Sequence, residues 1–198
     1  CPVSQLSIAP LEALVARLQA QWGDEALRPL RALQPAAIPT IPSGFPALDA
    51  ALGGGIPLGR LSEMGGRVTS GMTTLIYGLV ASAQAEGRSA LWIDLPATFD
   101  PLAASRCRVV LERLYLLRLD APDETPNILR EVLLTGGLKL IVLDGGSEAL
   151  AVDELRRLVG IIQRAGAALV ILRDLPPGAR LVARSLTAVS LLIERRAW

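Results

Sequence analysis

Residues 61–74, Leu61 to Thr74, read LSEMGGRVTSGMTT, and this stretch decides how the rest of the chain is read. A phosphate-binding loop has the pattern G-x-x-x-x-G-K-[ST]: backbone N–H groups wrap the phosphate, the lysine neutralises it, and the final hydroxyl binds Mg²⁺. Gly66, Gly71 and Thr73 stand at that spacing, but the lysine position holds Met72. Methionine has roughly the length and helix propensity of lysine and brings no charge. Losing one partner of a close ion pair costs roughly 2–5 kcal/mol, about 30-fold to several thousand-fold in affinity. The loop residues Gly66, Arg67, Val68, Thr69, Ser70, Gly71, Met72, Thr73 and Thr74 are therefore expected to bind nucleotide weakly or not at all, without efficient hydrolysis.

Outward from the loop, the pattern is that of a βαβ unit. A strand near Arg60–Met64 feeds the loop, a helix over Met72–Glu86 is closed by Gly87, and Ser89–Asp94 (SALWID) reads as a buried strand. Helices then alternate with strands: Pro101–Arg108, Leu114–Leu117, Thr125–Leu134, Leu138–Leu143, Val152–Ala165, Ala168–Leu172 and Ala188–Ile193. Such alternation predicts an α/β fold with a mostly parallel sheet covered by helices on both faces. The apolar run Leu140–Leu143 ends in Asp144, the form of a strand whose aspartate holds Mg²⁺ beside a phosphate loop on a neighbouring strand. Asp144 is thus either an Mg²⁺ contact together with Thr73 or a turn and capping residue.

Upstream of the loop, Leu11, Leu14, Val15 and Leu18 recur at helical spacing as far as Trp22, and a second short helix is expected from Asp24 to about Leu33. Pro35, Pro39, Pro42 and Pro46 then argue for a linker. The expected organisation is a helical segment over 1–34, a proline-rich linker over 35–46 and a core over 47–198.

With 51% hydrophobic residues in 198, the chain can bury a substantial core. Its formal charge is +1, so no global basic field argues for nucleic-acid binding. Histidine is absent, which excludes histidine catalysis and histidine-based metal sites. Two cysteines, Cys1 and Cys107, make neither a metal framework nor a disulfide scaffold, and Cys107 reads as an apolar core residue. No apolar run reaches membrane-spanning length, and a cytoplasmic setting is the expectation.

The run TIPSGFPALDAALGGGIPLGRLSEMGG, followed by WIDLPATFDP, resembles the ATPase core of the RecA/RadA recombinase superfamily over residues 40–196. The resemblance implies a RecA-like P-loop core. It also implies a water-activating glutamate in the turn after the SALWID strand, where this chain has Pro96. At the tip of the strand Ala168–Leu172, where the superfamily places polar sensor residues, stand Arg173 and Asp174. Loss of both lysine and glutamate makes the chain look like a non-hydrolysing paralogue. It is most similar to the ImuA group of translesion-synthesis accessory proteins and also similar to the SulA-like division inhibitors.

Three functions follow from that resemblance. The first is an accessory or scaffold protein in DNA damage tolerance, with no cofactor or weakly bound ATP and Mg²⁺, and with ImuB-like translesion polymerase subunits as partners. The second is a nucleotide-dependent DNA-binding ATPase in which Arg67 or Arg173 replaces the lysine. The third is a SulA-like division inhibitor. Leu14, Leu18 and Trp22 are the candidate anchors for a partner or for self-association. Arg180, Arg184, Arg195 and Arg196 are the candidate DNA contacts, or else a solvated basic edge.

Overall fold

A computed structural model of the chain describes residues 9–24, 27, 38–67, 69–145, 150–176, 180–181 and 185–194. The chain divides into two compact units, residues 1–37 and 38–198. In the first, helix α1 spans Ala9–Trp22, as its spacing predicts; Leu14 and Trp22 are exposed and Leu18 is half-buried. The second helix expected before residue 34 lies almost wholly outside the described residues.

The second unit begins inside the stretch expected to be linker. Strand β1 (Thr40–Ile41) pairs antiparallel with β2 (Ile56–Pro57), and Ile41 and Ile56 are sealed from water. Residues 38–46 therefore belong to the core unit. The prolines do not prevent this because a two-stranded ribbon of two residues asks for few ladder N–H groups. Between the strands, Asp49 of helix α2 (Pro46–Ala51) accepts the Ser43 N–H at 2.7 Å, and Ser43 Oγ accepts the Phe45 N–H. These two side chains satisfy the backbone of a turn that neither helix nor sheet could serve.

Six parallel strands form the main sheet: β3 (Leu61–Gly66), β4 (Ala90–Asp94), β5 (Leu114–Leu117), β6 (Leu140–Asp144), β7 (Ala168–Asp174) and β8 (Val189–Ile193). Their order is β5-β4-β6-β7-β3-β8, so the four central strands are covered on both faces and read as near-continuous apolar runs. Alternate residues serve opposite faces. Met64, Trp92, Val142 and Val170 pack against helices α3 (Met72–Ala85) and α4 (Pro101–Arg106). Leu61, Ile93, Ile141 and Ile171 pack against α5 (Thr125–Thr135) and α6 (Val152–Ala165). The expected α/β architecture, with helices on both faces of a mostly parallel sheet, is the one observed.

Local chemistry sets the helix ends. Asp100 caps α4 by accepting from Leu102 and Ala103 N–H, with Pro101 in the first turn where its missing N–H costs nothing. Glu154 reaches back to the Ala151 N–H at 3.0 Å to start α6. Gly166, left-handed at φ 60°, stops that helix, and Lys139 Nζ donates to the Ala165 carbonyl at its negative end.

Candidate functional site

Because all six strands run the same way, their C-terminal ends lie along one edge, where open α/β sheets carry their ligand sites. Register places Asp94 opposite Asp144, and Gly66 opposite Asp174. The loop after β3, the turn holding Pro96 and the end of β6 are thus gathered at one edge. The loop and Asp144 are not on neighbouring strands as expected, since β7 lies between β3 and β6. Helical crossovers allow a later strand to insert between earlier ones, and no local sequence signal reports that choice.

At the loop, strand β3 continues through Gly65 and Gly66, which expectation left to the turn. Gly66 admits no side chain: a β-carbon there would lie 2.6 Å from the Ile193 carbonyl and 2.7 Å from Ser70 Oγ. Gly71 adopts φ 92° and starts α3. The Ser70 hydroxyl accepts the Met72 N–H at 3.4 Å, so a side chain of the loop itself uses one of the donors a phosphate would need. Met72 is only 6% exposed and packs in the core under α3. The side chain at the lysine position is directed into apolar packing. Thr73 is half-buried, Arg67, Thr69 and Thr74 are exposed, and Val68 is outside the described residues.

Across the edge, Asp94 is buried and holds the following turn together. It accepts the N–H groups of Thr98 and Phe99 and the Nε–H of Arg118 at 3.0 Å. The turn's Ala97 sits at φ 55°, and Pro96 is exposed. Beneath it, Tyr77, Trp92 and Phe99 form a three-ring cluster with centroids 5.2–5.7 Å apart. The Tyr77 hydroxyl ties α3 to the Asp100 backbone, and burial raises its pKa. Asp144 is half-buried. Burial, reinforced by the neighbouring Asp94 carboxylate, raises its carboxyl to about 6. The buried Trp92 Nε1–H faces Asp144 without hydrogen-bond geometry.

Arg173 does not replace the missing lysine. Its Nε donates to Glu63 Oε1, and both residues are buried, so the guanidinium is committed to the core. Sequence reasoning singled out Arg173 and missed Glu63, although a glutamate within the apolar strand LSEM signals a buried partner of opposite charge. It also missed Asp94, whose place at the end of SALWID resembles that of Asp144 at the end of its own strand. Among the candidate DNA contacts, Arg180 is exposed, whereas Arg184, Arg195 and Arg196 lie outside the described residues. Cys107 is half-buried against the core rather than fully enclosed. No helix among the described residues is long and apolar enough to cross a membrane.

Residues 9–160 match the family model of the RecA N-terminal domain. The chain is 34% identical to Protein RecA of Aquifex aeolicus over 154 residues, covering 77% of this chain and 45% of that protein. It is 32% identical to Protein RecA of Herpetosiphon aurantiacus over 186 residues, covering 83% and 52%. It is 36% identical to Protein RecA of Streptomyces avermitilis over 135 residues, covering 68% and 36%. The chain spans about half the length of these relatives or less. With this sheet, this loop and this match, the chain belongs to the RecA N-terminal domain family.

Proposed function

We propose that this chain is a RecA-like accessory or scaffold protein of DNA damage tolerance that works through protein contacts with little or no ATP hydrolysis. The observation that carries the reading is Met72, which occupies the lysine position and packs in the core at 6% exposure. The loop does not fit a tightly held MgATP: the lysine position supplies no cation, and Ser70 takes the Met72 N–H. Pro96, in the turn expected to carry a general base, has no proton-accepting side chain. No hydrolytic step is assigned to these residues.

Edge strand β5 is the face offered to a partner. Among the described residues it pairs only with β4, and its Tyr115 and Leu116 are 61% and 42% exposed beside an apolar cleft that includes Leu91, Val132 and Leu138. An extended segment of an ImuB-like polymerase homologue, or of a second copy, adds to such an edge by main-chain hydrogen bonds.

The test combines calorimetric titration with MgATP, a turnover assay and capture of the polymerase homologue. The reading expects turnover at background and partner binding lost on Leu116→Asp with Tyr115→Lys. Turnover well above background that disappears in Thr73→Ala or Asp144→Ala overturns it in favour of a recombinase-like ATPase. That second reading is favoured by one observation, the exposed Arg67 inside the loop.

A further inference from the structure

On the face opposite α3, a cleft of about 420 Å³ opens between α5 and α6. Its floor is apolar, made by Pro126, Leu158 and Ile161, and its walls carry Arg130, Arg157 and Arg164. All three arginines are exposed, and none makes a hydrogen bond or ion pair with any described residue. Arg156, one residue before Arg157 on the same helix, is by contrast paired with Asp153. The cleft has one carboxylate, Glu154, and that group is occupied in capping the Ala151 N–H. Arg157 and Arg164 lie two turns apart on α6. Gly160 between them keeps the surface low enough for Arg164 Nη1 to lie over it, 3.5 Å from where a β-carbon would sit. Like charges gathered over an apolar floor repel one another until an anion neutralises them.

We propose that the α5–α6 cleft is a docking site for an acidic peptide segment of a partner protein, one that places an apolar side chain on Ile161 and Pro126 between carboxylates. Planar guanidinium forks bind carboxylates in pairs of parallel hydrogen bonds, and the apolar floor supplies the desolvation that a surface pair lacks. A nucleic acid fits less well. The cleft has no aromatic side chain on which a base can stack, and three cations on a chain of net charge +1 give a weak phosphate track. The site is separate from both the loop and the β5 edge, so it does not depend on the function proposed above.

The test uses the full chain at low ionic strength with a fluorescein-labelled peptide of alternating glutamate and leucine, read by anisotropy. Saturable binding is expected, weakened about tenfold or more by Arg157→Glu with Arg164→Glu. The already paired Arg156→Glu is expected to change it by less than about threefold. Arg157→Lys with Arg164→Lys keeps the charge, removes the fork and falls between the two, which also provides the reading if the glutamate variant does not fold. Absence of saturable peptide binding overturns the proposal. So does an equal loss in Arg156→Glu, or displacement of the peptide by an oligothymidylate of equal charge, which makes the cleft a nucleic-acid contact.

Discussion

Arg173 of β7 donates from Nε to Oε1 of Glu63 on the adjacent strand β3, inside a layer otherwise built of leucine and isoleucine. The pair joins the strand that leads into the loop to the strand that separates the loop from Asp144. Removing either partner takes this ion-pair contact away from a charge that is buried. Glu63→Ala or Arg173→Ala is expected to cost about 3–5 kcal/mol, whereas Glu63→Leu combined with Arg173→Met is expected to be close to neutral. Urea denaturation with an unchanged slope measures both.

Asp144 provides a pH signature. Its folded-state carboxyl is raised from 3.8 to about 6, so between about pH 4 and 6 the folded chain holds a proton that the unfolded chain has released. This group's contribution to stability therefore falls as pH rises through that window and is level above it. Asp144→Asn removes the dependence and is expected to stabilise the fold at neutral pH by about 1–2 kcal/mol, after discounting for solvent screening. Denaturation midpoints at pH 4.5 and pH 7, as roughly chosen limits of the window, test the sign.

Met72 separates a packing role from a binding role. Met72→Leu preserves volume and is expected to cost less than about 1.5 kcal/mol without changing nucleotide affinity. Met72→Lys must either bury an ammonium or vacate the core, and is expected to cost about 1–3 kcal/mol without restoring turnover, because Pro96 still supplies no base. Thermal melts run alongside a phosphate-release assay distinguish the two effects.

Gly55 tests whether residues 38–46 are core or linker. It sits at φ 130°, and a β-carbon there would lie 2.2 Å from the Ile41 carbonyl oxygen. Gly55→Ala is expected to destabilise the whole unit by about 2 kcal/mol or more, since β1 and β2 must separate to admit it. Loss of stability in a single transition supports residues 38–46 as core. A wild-type melt would show them to be a tether.

Much of this was legible before any coordinates. Helical and strand periodicity placed α3, α5, α6 and the main-sheet strands within a few residues, because each element's apolar face is a local pattern of side chains. The glycine-rich loop with Met72 in it was equally visible. The proline count misled at β1, where pairing with Ile56 and Pro57 outweighs what proline discourages locally.

By itself the sequence determined the class of fold, the family resemblance and the absence of a cation at the lysine position, since all three reside in the order of residues along short stretches. Only the tertiary structure decided that β7 stands between the loop and Asp144, that Met72 is core packing, that Arg173 is committed to Glu63, and that three arginines of α5 and α6 share one cleft. Each of these depends on which distant segments come together. That choice is made by burial and charge neutralisation over the whole core, which no local pattern encodes.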